Sequence, residues 1–319
     1  MILLLVSSII LYFVSTVNYL LFHSLVEGFA IIIATLIYVL GTRTYQYSQN
    51  GVFLFLGISY LYVGVLDFAH TLTYKGMGVF PGLGSDIPTQ LWIAGRLMEA
   101  LSLFIILFLD NKRVNYKLTN MIYGFITSAL LLAIMVFKTF PVCFIEGEGL
   151  TTFKIMMEYA IITILLVGAY ILYLREKSFG RSFFETVGVA MLITAISELS
   201  FTLYTDVYGI ANMIGHVLKV VSYYFIYKGV VAQGIDEPYS IMSTRLKDGA
   251  IRDSLTSLHN RQGMMELIEK GLDHTEGGKG RLGLLLIDLD NFKLINDNYG
   301  HLYGDRILKE FAELLNNSI

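Results

Sequence analysis

The sequence predicts an all-α membrane domain of about eight helices, followed by the beginning of a small α/β domain. Of the 319 residues, 55% are hydrophobic and only 15% are charged. The charges gather in short clusters, separated by apolar stretches of roughly 18 to 24 residues, the length that crosses a bilayer core. After Val230 the composition becomes that of a soluble chain. These observations predict a membrane domain up to about Val230 and a soluble domain after it.

Eight apolar stretches are predicted to span the membrane, of which the second is the shortest. The first has no positively charged leading segment and no small-residue cleavage site, so it is expected to be retained as a span rather than removed as a signal peptide. The lone Cys143 falls in a predicted outer loop and can form no internal disulfide. The predicted spans are Ile2–Leu21, Leu25–Leu40, Gly51–Thr71, Ile87–Leu109, Leu118–Phe137, Thr152–Leu174, Phe183–Tyr204 and Tyr208–Val230.

The positions of the cationic residues predict the orientation of these spans. Positively charged loops are held on the cytoplasmic side, and the cations occupy alternate gaps between the spans. With an even number of spans, this pattern predicts that both termini lie in the cytoplasm. The cations in question are Arg43, Lys112, Arg113, Lys117, Arg175, Lys177, Arg181 and Lys228.

A polar segment connects the two parts of the chain. Apolar residues recur every three to five positions from Ile235 to Ile251, which predicts a short amphipathic helix with a narrow apolar seam. Such a helix could lie on its own domain, or it could form a parallel two-stranded contact between protomers. The predicted domains are therefore a membrane domain at 1–232, a helical linker at 233–252 and a soluble segment at 253–319.

The soluble segment opens with a turn-rich motif and then reaches an apolar strand. Asp253, Thr256 and Asn260 can bond backbone groups in the motif. Leu282–Ile287 is an unbroken apolar run, as expected of a strand covered on both faces. Asp288 follows at its carboxyl end, where open α/β sheets place their ligands.

The motif Asp253-Ser-Leu-Thr-Ser-Leu-His-Asn-Arg261, with Asp288-Leu-Asp-Asn-Phe-Lys293 behind it, resembles the first half of a bacterial diguanylate cyclase (GGDEF) domain. The resemblance implies that two GTP molecules are joined into cyclic di-GMP with Mg²⁺. It implies Asp288 and the Leu289 backbone carbonyl as metal ligands and Lys293 as a phosphate contact. Asn296 and Asp305 would bind the guanine.

The Gly-Gly-Asp-Glu-Phe loop that names this family does not occur in the 319 residues. The resemblance implies that this loop supplies a second carboxylate ligand for the metal. It also implies that the rest of the sheet is missing together with the loop. We therefore expect a truncated GGDEF domain with no complete catalytic set, inactive by itself. Whether the chain is an enzyme is left open at this point.

The membrane part carries a second, weaker motif at the outer end of the third span. Asp67-Phe-Ala-His-Thr71, followed by Tyr74-Lys-Gly-Met77, is similar to the third of the bacterial membrane-associated sensor families, over about residues 5 to 232. The resemblance implies a bacterial inner-membrane sensor and no particular ligand. Ionisable groups at membrane depth usually face the bundle interior. The sensor candidates are Asp67, His70, Arg96, Glu99 and His216, with Glu27, Glu158, Glu198 and Lys219 as further buried candidates.

Among these candidates, two pairs of residues three positions apart suggest different functions. Arg96 and Glu99 lie three residues apart and can meet on one helical face, which favours a structural ion pair. Asp67 and His70 have the same spacing, and an imidazole beside a carboxylate could bind a metal, a haem or a proton. A histidine that is merely hydrogen-bonded is the alternative.

Two functions remain open from the sequence. The first is a membrane sensor that controls cyclic di-GMP synthesis, with GTP, the bilayer and a second copy of the chain as partners. The second is a non-catalytic sensor, or a protein that binds or transports a small solute, with an inert cytoplasmic remnant. The net charge of −3 and the lack of a clustered basic surface argue against nucleic-acid binding.

Overall fold

The structure is a computed structural model, and it describes residues 2–109, 113–175, 181–203, 207–231, 249–276 and 281–318. The chain separates into two compact units, Met1–Pro238 and Tyr239–Ile319. Most of the predicted linker, at 233–252, lies outside the described residues, and with it the amphipathic helix expected there. Each unit is described by itself.

The first unit contains eight α-helices in the described residues, one at each predicted position. A short 3₁₀ turn, Ile106–Phe108, extends the fourth helix, and a π-helical turn, Leu132–Val136, extends the fifth. The helices are α1 Ile2–Val17, α2 Tyr19–Ser48, α3 Gly51–Thr73, α4 Asp86–Ile105, α5 Tyr116–Leu131, α6 Thr152–Leu174, α7 Arg181–Phe201 and α8 Ile210–Val231.

Six of these helices, α2 to α7, are long and apolar enough to cross a bilayer by length and composition. Helix α1, Ile2–Val17, has 16 residues, fewer than the roughly 20 that cross a bilayer core. Helix α8 has the length, but its apolar sequence is interrupted by Asn212, His216 and Lys219. Six helices of the described chain therefore meet this criterion of length and composition, and α8 differs from them by carrying buried polar groups.

The boundary between the first two helices differs from the prediction. The sequence predicts a first span to Leu21 and a short second span from Leu25, whereas α2 begins at Tyr19 and runs for 30 residues. Asn18 breaks the two helices apart, since its side chain accepts a hydrogen bond from the Leu21 amide at 3.0 Å and so caps α2. The boundary between α1 and α2 is therefore set by one polar capping residue within an apolar stretch.

Six helices form a closed ring in which each packs on the next. The order around the ring is α2, α3, α4, α6, α7 and α8, and α8 returns to α2. Helix α1 lies outside against α2 and α8, and α5 lies outside against α3. Consistent with this outer position, Phe125 on α5 is 76% exposed in the protein alone. The interior of the ring is the place where polar side chains escape the lipid.

The contact between α2 and α3 is very close at one point. A Cβ atom on Gly41 would lie 2.3 Å from the backbone oxygen of Phe53. Only glycine allows this approach, as small residues do generally at helix contacts within membranes. The contact lies near the turn between the two helices, where α2 ends at Ser48 and α3 begins at Gly51.

On one side of the bundle, two loops are tied to each other. A two-stranded antiparallel hairpin, β1 Phe144–Ile145 and β2 Gly149–Leu150, lies between α5 and α6. Glu146 accepts hydrogen bonds from the Ser85 amide and hydroxyl, both at 2.8 Å, and pairs with Lys75 at 2.7 Å. The carboxylate of Asp86 accepts from the Cys143 and Phe144 amides at 2.7 and 3.0 Å. The loop before α4 is thereby held on the hairpin.

In the second unit the structure describes three helices, α9 Arg261–Glu276, α10 Phe292–Tyr299 and α11 His301–Ser318. The opening motif folds as the sequence predicts. One oxygen of Asp253 accepts from the Leu255 and Thr256 amides and from the Thr256 hydroxyl. Asn260 donates to the Ala250 carbonyl at 2.7 Å and accepts from the Gly263 amide at 3.0 Å. The motif therefore closes the turn that precedes α9.

The predicted strand at 282–287 is wrong. The segment belongs to no strand, and Leu284, Leu285 and Leu286 are 75%, 81% and 95% exposed. A strand needs a hydrogen-bonded neighbour, and none of the described residues in this unit supplies one. An apolar run by itself therefore did not make a sheet here.

Candidate functional site

A network of buried charged groups fills the ring of helices, with Arg96 at its centre. Its Nη2 atom donates to both oxygens of Asp67, at 2.6 and 2.9 Å, and its Nη1 atom donates to Glu99 one turn along α4. All three side chains are 1% exposed. Tyr60 donates its hydroxyl to Glu99 at 2.8 Å, and Tyr223 donates its hydroxyl to Asp67 at 3.2 Å. Charges at this depth are tolerated because they are paired and hydrogen-bonded.

Lys219 extends this network to two further helices. Its ammonium group lies 2.7 and 3.0 Å from the two oxygens of Glu27 on α2, and 3.2 Å from Asp67 on α3. The ammonium is also 4.7 Å from the centre of the Trp92 ring, close enough for a cation–π contact. One buried lysine on α8 therefore joins α2, α3 and α4.

Three histidines lie beside the charged network. Their imidazole rings come from α2, α3 and α8, and His23 and His70 face each other with Nε2 atoms 3.2 Å apart. The His23 ring stacks on Tyr74 with centroids 3.7 Å apart, and it lies 4.9 Å from the His216 ring. His216 Nε2 is 3.5 Å from Glu27. The three imidazoles and this carboxylate converge on one point.

A second buried group of charges lies at α6 and α7. Lys154 pairs with Glu158 at 2.8 Å and also donates to the Phe201 carbonyl. Glu198 is buried beside them, at 1% exposure. The group places further buried charge on α6 and α7, which neighbour α4 and α8 in the ring.

A small cavity of about 20 Å³ reaches the histidines. It is lined by His70 and His216 at depth, and also by Lys75 and Ser85 of the tied loop. A volume of this size accommodates roughly one water-sized occupant. A cavity of this size is far smaller than a haem.

The structure brings together all five sensor candidates predicted from the sequence: Asp67, His70, Arg96, Glu99 and His216. Asp67 and His70 are not partners of each other, since Asp67 binds Arg96 and Lys219 while His70 faces His23. Sequence reasoning missed His23. It lies four residues before Glu27 on α2, a spacing that places both on one helical face, but the late predicted start of the second span left His23 in a loop.

The candidate nucleotide residues lie in the second unit. Asp288 and Lys293 are exposed, and Asp305 is half-buried in α11. A Cβ atom on Gly304 would lie 2.0 Å from Asn296 Oδ1, so this glycine leaves room for the amide beside Asp305. Asn296 Oδ1 is buried with no hydrogen-bond partner in the described residues. In the opening motif, Asp253 accepts hydrogen bonds from the Thr256 amide and hydroxyl and from the Leu255 amide. These hydrogen bonds lower the pKa of its exposed carboxyl.

The fold and the central network define a polytopic helical membrane domain with a buried polar interior, followed in the chain by a second unit. The chain belongs to the MASE3 family of membrane-associated sensor domains, whose family model matches residues 14–238. A second family model, described as the diguanylate cyclase GGDEF domain, matches residues 250–319.

Curated relatives match over short stretches, about as long as the GGDEF match. They include a cyclic di-GMP phosphodiesterase, PdeR, of Escherichia coli (46% identical over 68 residues), diguanylate cyclase DgcS of Shewanella oneidensis (41% over 70) and response regulator PleD of Caulobacter vibrioides (41% over 70). The matches cover 21%, 22% and 22% of this chain, and 10%, 24% and 15% of those proteins. No solved structure matches the chain.

Proposed function

We propose that this chain is the sensing part, with the first half of the catalytic domain, of a membrane-bound protein that controls cyclic di-GMP synthesis from two GTP molecules. The observation that carries the proposal is the union, in one chain, of a MASE3 unit with a unit of the GGDEF family. The buried network of the first unit joins four helices through paired charges. A signal that changes this network can therefore shift α8, the helix that precedes the predicted linker in the sequence.

The nucleotide residues have the chemistry that the reaction needs. Asp288 is an exposed carboxylate next to the Leu289 carbonyl, and Mg²⁺ prefers such oxygen donors together with phosphate oxygens and water. When bound, Mg²⁺ would neutralise charge on the attacking and leaving oxygens of the phosphoryl transfer. Lys293, exposed on α10, is free to reach a phosphate group of GTP. These residues would hold and orient the triphosphate.

Asn296 and Asp305 are proposed to bind the guanine base. A carboxylate accepts from the guanine N1 and amino groups, and an amide can complement the remaining edge. Support comes from Asn296 Oδ1, which is buried without a partner in the described chain although buried polar atoms normally have one. Gly304 provides the space that this arrangement needs.

The 319 residues alone are expected to make no cyclic di-GMP. Residues 282–287, which should carry Asp288 on a strand, have no partner strand in the described unit and are largely exposed. An active site that depends on electrostatic positioning cannot tolerate a loosely held metal carboxylate. Synthesis should appear when the second unit is extended with a carboxyl-terminal half typical of the GGDEF family.

Three further proposals concern the protein in its membrane. The alternation of Arg and Lys between the helices supports an inner-membrane location with both termini in the cytoplasm, which is where GTP is available. A second copy of the chain is the proposed partner, through the linker that the sequence predicts at 233–252. The slightly negative net charge supports a function without nucleic acid.

The deciding experiment measures cyclic di-GMP formed from GTP and Mg²⁺ in membranes that contain the extended chain. Asp288→Ala should lower the rate at least a hundredfold, because it removes a metal carboxylate on which phosphoryl transfer depends. Asp273→Ala, an exposed acid on α9, is the matched control and should leave the rate unchanged. Synthesis that survives Asp288→Ala, or no synthesis by the extended chain, would contradict the proposal and favour a non-catalytic sensor or solute-binding protein.

A further inference from the structure

Four side chains in the helix ring offer metal-ligand atoms to one point. They are His23 and Glu27 on α2, His70 on α3 and His216 on α8, and one ligand atom from each lies within 4.8 Å of the others. All four are buried, with relative exposures from 0% to 4%. Because they come from three helices, the arrangement is a product of the fold and not of one helical repeat.

Two of the histidines have a fixed tautomer. The Nδ1 atom of His70 is 2.8 Å from the Pro88 carbonyl, and the Nδ1 atom of His216 is 2.8 Å from the Asn212 carbonyl. A carbonyl oxygen only accepts, so each Nδ1 must carry the proton. In a neutral ring each Nε2 then presents a bare lone pair. Metal-binding histidines are commonly oriented in this way by a backbone carbonyl at the other nitrogen.

The lone pair of His216 faces another electron-rich atom. His216 Nε2 is 3.5 Å from Glu27 Oε1, and it has no hydrogen-bond partner in the described part of the chain. Two acceptors at this distance repel each other unless a cation or a proton lies between them. The buried Nδ1 atom of His23 also lacks a partner among the described residues, so its ring is not held by an alternative hydrogen-bond network on that side.

Two of the six distances within the donor set match a tetrahedral ion, and all six lie within 4.8 Å. With metal–nitrogen bonds of about 2.0 to 2.1 Å, two ligands of a tetrahedron are roughly 3.3 Å apart. The His23–His70 distance between Nε2 atoms is 3.2 Å, and the distance from His216 Nε2 to Glu27 Oε1 is 3.5 Å. Two opposite edges of the donor set therefore already have the required length.

The charge balance and the access route are also favourable. The central network contains three carboxylates, Glu27, Asp67 and Glu99, but only two cations, Arg96 and Lys219. Since Lys219 also lies 3.2 Å from Asp67, the ammonium keeps a carboxylate partner if Glu27 turns one oxygen to a metal. The cavity of about 20 Å³ that reaches His70 and His216 is lined also by the half-exposed Lys75, which offers an ion a way in.

We propose that His23, Glu27, His70 and His216 bind one divalent transition-metal ion of zinc-like chemistry inside the helix ring, near the start of α2 and the end of α3. Imidazole with one carboxylate suits Zn²⁺ and its borderline neighbours, whereas Mg²⁺ and Ca²⁺ prefer all-oxygen sites. The metal site does not depend on cyclase activity. A sensory role for this metal rests on the proposed function, whereas its binding does not.

The experiment uses the full chain, purified in detergent with an affinity tag free of histidine, stripped with a chelator and equilibrated with Zn²⁺. Metal analysis after gel filtration should find one equivalent of zinc. His70→Gln and His216→Gln should each weaken zinc binding at least tenfold, since even loss of an outer-shell partner costs roughly 10- to 100-fold. Glu198→Gln, a buried acid outside the donor set, and Asp288→Ala, in the second unit, are the matched controls and should keep the zinc.

Replacement of zinc by Co²⁺ in the unaltered chain gives a second readout that needs no variant to fold. A tetrahedral site of nitrogen and oxygen ligands should give intense visible ligand-field bands. No bound zinc, zinc that both histidine variants retain, or cobalt without these bands would each overturn the proposal. Since neither measurement uses GTP, a failure of cyclic di-GMP synthesis in the extended chain would leave the metal site standing.

Discussion

Arg96 on α4 binds both carboxylate oxygens of Asp67 on α3, at 2.6 and 2.9 Å, while its other terminal nitrogen binds Glu99. The arginine and its two carboxylates satisfy one another, as a structural ion pair would. Among the histidines next to them, His216 Nε2 and His23 Nδ1 have no hydrogen-bond partner in the described residues. Of the two interpretations drawn from the sequence, the structural ion pair applies to Arg96 and Glu99, and the ligand site applies to His70 with the histidines beside it.

Removal of the Arg96 guanidinium should destabilise the membrane unit. Arg96→Gln leaves Asp67 and Glu99 without their main cation, and breaking a buried pair in this way costs about 3 to 5 kcal/mol. Thermal unfolding of the purified chain in detergent should show the loss as a lower midpoint of the first unit. Arg306→Gln is the control, because its pair with Glu310 is 75% and 61% exposed and such pairs contribute about 0 to 1 kcal/mol. Equal midpoints for the two variants would contradict the structural role of Arg96.

The close approach of α2 and α3 gives a second prediction. Gly41→Ala places a Cβ atom 2.3 Å from the Phe53 carbonyl oxygen, and overpacking of this kind costs about 1 to 3 kcal/mol. Gly28→Ala on the same helix has nothing within 4 Å of the added atom and should be neutral or slightly stabilising. Unfolding midpoints of the two variants in detergent test this. A Gly41 variant as stable as the Gly28 variant would show that the helices do not pack so closely.

Glu146 should make the tied loop sensitive to acid. Its hydrogen bonds with Lys75 and Ser85 lower the pKa of this carboxyl from the ordinary 4.5 to about 2. A carboxyl with a lowered folded-state pKa contributes stability above its unfolded pKa, and that contribution is lost as the pH falls from about 4.5 to about 2. The side chain is 51% exposed, so solvent screening keeps the effect small.

Unfolding midpoints between pH 7 and pH 3 test this loop contact. Glu146→Gln should lower the midpoint at pH 7 and reduce its decline on acidification. Glu148→Gln, an exposed acid in the same hairpin turn, should follow the unaltered chain at both pH values. If the two variants behave alike, the bonds of Glu146 do not stabilise the loop.

Cys143 should resist thiol reagents in the folded protein. Its side chain is fully buried, and burial, followed by the nearby Asp86, raises the pKa of the thiol to about 12. Thiolate is the reactive form, so alkylation should be slow until the protein is denatured in sodium dodecyl sulfate. Rapid modification of the native chain at pH 7 would show that the hairpin leaves the thiol open.

The orientation in the membrane therefore needs a different cysteine. In a Cys143→Ser background, Glu148→Cys places a thiol at an exposed position of the hairpin turn, and Arg113→Cys places one in the exposed loop before α5. An impermeant thiol reagent should label the first variant in whole cells and the second only after permeabilisation, because the cationic loops are expected in the cytoplasm. The reverse pattern would overturn the proposed orientation.

Much of the structure of this protein could be predicted from local patterns in its sequence. The positions of the eight helices followed from apolar stretches, and the bonds of Asp253 and Asn260 followed from the turn chemistry of their motif. The second helix was predicted too short because hydropathy does not register Asn18 as a cap. That error removed His23 from the predicted membrane helix. The strand at 282–287 was predicted wrongly, since an apolar run specifies burial but not the neighbouring strand that a sheet requires.

The sequence by itself determined that ionisable residues lie at membrane depth, because each occupies an apolar stretch long enough to be a helix. Which of them meet was decided only by the tertiary structure. Lys219 binds Glu27 across 192 positions of sequence, and His23 faces His70 across 47. Periodicity relates residues within one helix, whereas these contacts depend on the order of helices around the ring. A convergent set of ligand atoms is a property of that packing.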